Sequence, residues 1–302
     1  SRLWVLGFQM RYKSCSHQKR GLWTTEQQIK REKDGSFLLS QSQKILELLE
    51  IFGLTDSHPT QTPMMTDFLK REDQTEYLAN NTQYREAIGK LLYICTSCHP
   101  DISNAVSILS RKVNAPTESD WGAVKRIVRY LKGTIDYKLR LAACDNPKLT
   151  CYTDSDWGGD PSNYRSTSGY CFMYGNAPIA WASIKQNLVS LSSTESEFYA
   201  ASEAGRELCW LDRLLSDFGR AESRPIVMYE DNQSCIRLVQ NEKITCRTKH
   251  IGVRVYRLKE LSDEGTIELV YCPTDQMTAD MLTKPLPRES FEKLRGKFGL
   301  IA

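Results

Sequence analysis

Apolar positions change their spacing near the middle of the chain, and that change divides it. Ile45, Leu48, Leu49 and Phe52 recur at helical intervals until Gly53 stops them. A polar, proline-containing loop over 55–80 follows, then three more helices. The first, 84–95, is carried by Tyr84, Ile88, Leu91, Leu92 and Cys95; the second covers 102–113. The third, 117–131, opens after Pro116 with a Thr117/Asp120 capping-box pattern and ends at Gly133. Upstream, Asp34-Gly35 reads as a turn into a short strand at 36–39, while residues 1–28 have weak periodicity and stay unassigned.

Beyond Asn146-Pro147 the spacing becomes that of strands. Short strands are expected at 149–152, 170–174 and 179–183 in meander order, the last two joined through Gly175-Asn176. A long helix over 193–218 then lines up Phe198, Ala201, Leu208, Leu211, Leu214 and Leu215. After it come a strand at 226–229, a helix beyond Asn232, a helix from about His250 to Ser262, a strand at 266–271 and a helix around 277–282. This order describes an α/β (α+β) domain with a mixed sheet flanked by helices.

Composition narrows the setting. At 302 residues, 40% hydrophobic and 25% charged, the chain can bury two cores. No apolar run reaches the roughly 18 residues of a membrane span, and the first residues lack a signal-peptide pattern, so a soluble, intracellular protein is expected. Beginning at Ser1 rather than Met suggests a fragment or processed product. The ten cysteines are scattered through apolar segments, as free thiols in a reducing compartment would be. Cys95 and Cys98, followed by His99, have the spacing of a haem attachment or half a zinc site. The helical run through them, and the lack of a second Cys/His pair nearby, make buried helix cysteines the better reading.

The net charge of +3 does not by itself argue for nucleic acid. Its distribution is more suggestive, because Arg111, Lys112, Lys125, Arg126, Arg129, Lys132, Lys138 and Arg140 stand against only Glu118, Asp120 and Asp136. A second excess runs from Arg237 through Lys243, Arg247, Lys249, Arg254, Arg257 and Lys259. Such stretches can hold a phosphate backbone or serve as solvated helix faces.

The sharpest chemistry lies in four acids. Asp154 follows the first strand of the second half by two residues, Asp231 follows its fourth strand by two, Glu197 sits in the first turns of the long helix, and Asp280 lies in the last helix. Each alone has a structural explanation, as an N-cap or a helix-dipole partner. Together they suit two Mg²⁺ ions, with Mn²⁺ as an alternative, placed about 4 Å apart to activate water and stabilise a leaving oxygen. Asp156 and Glu195 are rivals for two of the positions.

YTDSDWGGD, RSTSGYCFMYGNAPIAWASIKQ, SLSSTESEFYAASEAGRELCWL, YEDNQSCIRL, TKHIGVRVYRLKE and TADMLTKPL resemble the ribonuclease H domain of copia-type LTR retrotransposon Pol polyproteins. IKREKDGSFLLSQSQKILELLEIFGL, TPM, YREAIGKLLYICTSCHPDISNAV and VKRIVRYLKGT resemble the end of the reverse transcriptase in the same polyproteins. The resemblance implies an RNase H-like five-stranded sheet over 147–302, preceded over 29–146 by a mostly helical thumb or connection region. It implies hydrolysis of the RNA strand of an RNA/DNA hybrid, with Asp154, Glu197, Asp231 and Asp280 as metal-binding catalytic acids and the rest of the Pol polyprotein as a further partner. It also implies a cytoplasmic virus-like particle or the nucleus as location.

On the substrate side, Ser193 and Thr194 are candidates for the backbone, Asn232 and Gln233 for the sugar hydroxyls that mark RNA. Arg126 and Arg129 would grip the hybrid. His250 precedes a helix in the KHI motif, whereas cellular RNases H carry a mobile histidine between the last strand and the final acid; here Tyr271 to Asp280 contains none. No Tyr-x-Asp-Asp turn occurs in the first half, so polymerase activity is not expected. The alternative to a nuclease is an inactive Pol remnant that only binds nucleic acid.

Overall fold

The computed structural model describes residues 22–24, 27–220, 223–240 and 252–302. His250, Lys243, Arg247 and Lys249 lie outside the described residues, as does most of the unassigned 1–28 stretch.

In the first half, β1 (Leu22–Thr24), β2 (Gln27–Arg31), β3 (Phe37–Ser40) and β4 (Lys138–Leu141) form an antiparallel sheet in that order. The Asp34-Gly35 turn closes the β2–β3 hairpin: Gly35 adopts φ +88° and the Ser36 N–H donates to Asp34 Oδ1 at 2.9 Å. The turn therefore joins two strands where the sequence suggests one. The missed partner, β2, carries a single apolar residue, Ile29, paired with Leu39.

Helices α1 (Ser42–Ile51), α2 (Thr82–Ser97), α3 (Ser103–Ser110) and α4 (Glu118–Gly133) pack into one core through Ile45, Leu48, Tyr84, Leu91, Ile108, Ile127 and Leu131. The capping box of α4 is formed: the Asp120 N–H donates to Thr117 Oγ1 at 3.1 Å, and the Thr117 N–H to Asp120 Oδ2 at 3.0 Å. Cys95 is buried on α2 and Cys98 just beyond it, where its thiol donates to Gln41 Oε1 at 3.0 Å.

The second sheet holds β5 (Leu149–Asp156), β6 (Thr167–Tyr174), β7 (Ala177–Lys185), β8 (Ile226–Glu230) and β9 (Ile267–Tyr271), ordered β7-β6-β5-β8-β9. The first three form the expected meander, while β8 runs parallel to β5 and β9 parallel to β8. Across it lies α5 (Ser193–Asp217), whose Phe198, Ala201, Leu208 and Leu211 are buried with Cys151, Phe172 and Met228. Burying such a side chain contributes about 1.5–3 kcal/mol, which makes this apolar face the main force holding α5 on the sheet. Helices α6 (Gln233–Gln240) and α7 (Gly252–Asp263) complete the layer. Gly205 lets α7 approach α5, since a Cβ there would come within 3.3 Å of Leu258 Cδ2.

The end of the chain departs from expectation. In place of one helix around 277–282 there is a 3₁₀ turn (Thr274–Gln276), the short α8 (Asp280–Thr283), α9 (Arg288–Lys297) and β10 (Leu300–Ile301). β10 pairs with β4 and becomes the fifth strand of the first sheet. Met281, Leu282, Phe291, Leu294 and Phe298 join the core built by α1–α4. Polar contacts reinforce the return: Arg295 donates to the hydroxyls of Tyr130 at 3.1 Å and Tyr137 at 3.2 Å, and the Tyr130 O–H donates to Asp101. The Trp181 indole N–H donates to the Cys95 carbonyl at 2.9 Å, so β7 also rests on α2.

Candidate active site

Pairing between β5 and β8 decides the site. Their parallel register sets Tyr152 opposite Tyr229, and these rings stack at 4.6 Å between centroids. Two residues further along, Asp154 within β5 and Asp231 just past the end of β8 emerge side by side. Glu197 reaches them from the first turns of α5, whose start is tied to β5 by a 2.8 Å hydrogen bond between the Ser155 and Ser196 hydroxyls. One carboxylate oxygen from each of Asp154, Glu197 and Asp231 lies within 4.8 Å of the others. Asp280 opens α8 next to them. Its carboxylate is ion-paired with Lys284, and the same helix sends Thr283 Oγ1 to donate to Asp154 Oδ2 at 2.6 Å. Thr274 Oγ1 donates to Asp231 Oδ2 at 2.9 Å.

α8 fits against the sheet only because β6 has a glycine there. A Cβ on Gly169 would lie 2.7 Å from Thr283 Cγ2 and 2.9 Å from the Ala279 carbonyl. From the other side, Asn104 of α3 donates its amide to the Leu282 carbonyl at 3.2 Å. The first half of the molecule thus helps to position the fourth acid.

A fifth acid belongs to the cluster. Glu230, the last residue of β8, is fully buried, and one of its oxygens accepts the Asn232 N–H at 3.1 Å. It shares strand parity with the buried Ile226 and Met228, a signal present in the sequence. Burial pushes the Asp154 carboxyl up to about 7, aided by the Asp280 and Asp231 charges and opposed by Lys284 and the Thr283 hydroxyl. Burial likewise raises Glu197, together with the charges of Glu230, Asp154 and Asp231; it raises Glu230 as well, where hydrogen bonds from the 231–232 backbone oppose it. Glu197 Oε2 and Glu230 Oε2 are buried without hydrogen-bond partners. So many carboxylates in a dry site cannot all be charged without a cation. Converging oxygens with unsatisfied lone pairs fit a hard divalent ion.

The rival acids serve the backbone. Glu195 Oε2 accepts the Leu191 N–H at 2.7 Å while Ser192 Oγ accepts the Glu195 N–H at 3.2 Å, which caps α5. Asp156 accepts the Thr167 N–H at 2.7 Å, and it is pressed so closely by Gly159 that a Cβ there would fall 1.7 Å from Oδ2. Burial raises it to about 6, against that hydrogen bond and the Arg111 charge.

Among the substrate-side candidates, Ser193 is exposed and Thr194 half-buried in the first turn of α5, the turn that leads to Glu197. Asn232 follows Asp231 and caps α6, its Oδ1 accepting the Cys235 N–H at 3.0 Å; Gln233 beside it is exposed. Arg126 and Arg129 lie a turn apart on α4, in the first half. Arg126 donates to Thr62 Oγ1 at 3.0 Å, and burial, then the like charges of Arg129 and Arg71, lower its pKa. Neither guanidinium Nε has a hydrogen-bond partner. His250 lies outside the described residues. Sequence reasoning did not single out Glu230, Thr274, Thr283 or Lys284, although the last two follow Asp280 at the helical offsets i+3 and i+4.

No helix among the described residues is long and apolar enough to cross a membrane. No family model matches the chain. It is 38% identical over 87% of its length to the retrovirus-related Pol polyprotein from transposon TNT 1-94 of Nicotiana tabacum, covering 20% of that protein. It is 36% identical over 87% of its length to the corresponding polyprotein from transposon RE2 of Arabidopsis thaliana, covering 18% of it. The chain thus spans about a fifth of the length of these relatives. Among solved structures, LC11-RNase H1 in complex with RNA/DNA hybrid is 15% identical, with 45% of this chain and 94% of that one covered and a TM-score of 0.35.

Proposed function

Because the chain belongs to the retrovirus-related Pol polyproteins of transposons, we propose that it is the C-terminal part of a copia-type member whose RNase H-like half hydrolyses the RNA strand of RNA/DNA hybrids. The observation that carries this reading is the in-phase emergence of Asp154 and Asp231 from adjacent parallel strands, with a Glu197 oxygen within 4.8 Å of both.

Asp154, Glu197, Asp231 and Asp280 would hold divalent ions, Mg²⁺ by preference and two in number, with Mn²⁺ as a substitute. Such ions, when bound, supply Lewis-acid activation of water and neutralise charge on the leaving oxygen. The protein's own part is orientation. The Thr283 and Thr274 hydroxyls each occupy one oxygen of Asp154 and Asp231, leaving the other free to turn inward. Glu230 adds negative charge behind Glu197. Ser193 and Thr194 present hydroxyls and the start of α5 to a phosphate, Asn232 and Gln233 stand where ribose hydroxyls would distinguish RNA from DNA, and Arg126 and Arg129 grip the duplex away from the acids.

The setting proposed is intracellular, in a cytoplasmic virus-like particle or the nucleus, with the rest of the polyprotein supplying polymerisation. Purified full chain is incubated with a labelled hybrid and Mg²⁺, beside Asp231→Asn and an EDTA control. Cleavage of the RNA strand by the parent chain alone is expected, and hybrid binding without metal-dependent cleavage would refute the proposal in favour of a protein that only binds.

A further inference from the structure

α3 lies between the first core and the acidic centre, and its two faces are unlike. Ala105, Val106, Ile108 and Leu109 are buried in the core of α1–α4. Asn104, Ser107 and the C-cap Arg111, spaced i, i+3 and i+7, turn polar groups toward the second half. Each of the three reaches a different element. The Asn104 amide donates to the Leu282 carbonyl of α8 at 3.2 Å, the Ser107 hydroxyl to the Ser183 carbonyl of β7 at 2.9 Å, and Arg111 Nη2 to Thr167 Oγ1 of β6 at 3.3 Å. Those partners flank the acids. α8 carries Asp280 and the Thr283 hydroxyl that donates to Asp154, while Thr167 pairs with Asp156 at the start of β6. The loop over 157–166, which joins β5 to β6, is gathered on Asp160. Its carboxylate accepts the Ser162 N–H at 3.0 Å, is ion-paired with Lys185 and lies 3.9 Å from Arg111 Nη1; its carbonyl accepts the Tyr164 N–H at 2.7 Å. One end of α3 thus grips the helix that brings Asp280, and the other grips the strand and loop that follow Asp154.

Adhesion between the halves does not call for such a stripe. Burying an amide, a hydroxyl and a guanidinium costs desolvation that their hydrogen bonds at best return, and Asn104 Oδ1 and Arg111 Nη1 are buried without hydrogen-bond partners. Apolar contacts would bind the halves as well, but they are non-directional, whereas directed polar contacts specify one arrangement. We propose that Asn104, Ser107 and Arg111 are positioning residues of the acidic centre, and that α3 is the strut that sets the α8 flank against the β5–β6 flank. The first half then takes part in the chemical step as well as holding substrate. The proposal rests on the nuclease reading for the identity of that step; the placement of the two flanks does not depend on it. Reacting groups displaced by about 1 Å can lose about 100-fold in rate, so small slips of either flank are expected to appear in kcat.

Amide hydrogen exchange of the full chain, read by mass spectrometry, tests the placement without substrate. Asn104→Leu should speed exchange over 277–286 and Arg111→Met over 157–168, while 198–211 in α5 exchanges as in the parent. Faster exchange throughout the chain, or in neither segment, would overturn the proposal. Cleavage of a labelled RNA/DNA hybrid tests the chemistry. Both variants should lose about 10- to 100-fold in kcat with KM held within about twofold. An unchanged kcat would overturn the proposal, as would a raised KM alone, which would make these residues substrate contacts. Ser107→Ala removes one hydroxyl and leaves the apolar core intact, so it keeps the test decisive if the larger changes prevent folding; its kcat should fall in the same direction, by less. The Ser110 hydroxyl donates to the Ser107 carbonyl within α3 at 2.8 Å, so Ser110→Ala should keep the parent kcat, and an equal fall there would overturn the proposal. Failure of the parent to cleave would sink the nuclease reading, and the exchange pattern alone would then decide whether α3 places the two flanks.

Discussion

Replacing Asp154 by Asn should make the metal-free protein more stable above neutral pH, because the wild-type site stores electrostatic cost that only a cation relieves. Asp154 is held at about 7 against an ordinary 3.8; at about 1.4 kcal/mol per pH unit the difference corresponds to about 4 kcal/mol. The sign follows from proton binding. Between about pH 4 and pH 7 the native state keeps a proton that the unfolded chain has lost, so wild-type stability falls as pH rises through that window and levels off above it. Asparagine has no proton to lose, and its carbonyl can still accept from Thr283. The Asp154→Asn variant should therefore match wild type near pH 4 and exceed it by about 4 kcal/mol at pH 8. Urea unfolding in EDTA, followed by circular dichroism across that pH range, measures the difference. Mg²⁺ at about 100 times its Kd should narrow the gap by about 2.7 kcal/mol, since it stabilises the native state that binds it and the variant lacks a ligand for it. An advantage that is absent at pH 8, or equal at both pH values, would refute the reasoning.

The loop after β5 should tolerate no side chain at Gly159: its Cβ would sit 1.7 Å from Asp156 Oδ2, so Gly159→Ala is expected to cost about 1–3 kcal/mol in urea unfolding. An unchanged midpoint would mean that the Asp156–Thr167 contact is dispensable. Replacing both Arg126 and Arg129 by Ala should weaken hybrid binding regardless of sequence and flatten the dependence of log K on log salt by about 2, roughly 1 per lost phosphate contact, as read by fluorescence anisotropy over a KCl series. An unchanged slope would remove these residues from the interface.

What could be read before folding, and what could not, follows from where each residue finds its partners. Tyr152 and Tyr229 lie on strands whose alternation is clear, so the two-residue offset to Asp154 and Asp231 was legible once β5 and β8 were assumed to be neighbours, although β5 runs on through Asp156 rather than ending at Tyr152. The capping box of α4 and the stop at Gly53 are local, and they formed as written. Glu230 was hidden because an acid on the buried parity of a strand contradicts the ordinary burial rule; only a cluster of other acids explains it. β2, with Ile29 as its one apolar residue, and the two-residue β10 gain strand character from the strands beside them. Phe291 and Leu294 do stand at i and i+3 on α9, yet nothing local says that their face is covered by α1–α4 rather than by the nearer sheet. Lys284 was overlooked for a related reason, since its meaning depends on acids contributed by four separate elements.

The return of the chain to its first half has a consequence for the timing of folding. β4 must wait for β10, and the core around Tyr130 must wait for Phe291, Leu294 and Phe298, so the first half is incomplete until the chain has been made through Ile301. Closing that pairing spans more than half of the chain, a late and slow step by the logic of loop closure. On a ribosome, α1–α4 would emerge with an open apolar face and hold it until translation had passed both halves. An acidic centre that takes Asp280 from the same returning segment is therefore assembled at the moment its neighbour closes, and a stop codon placed after β9 would leave neither half finished.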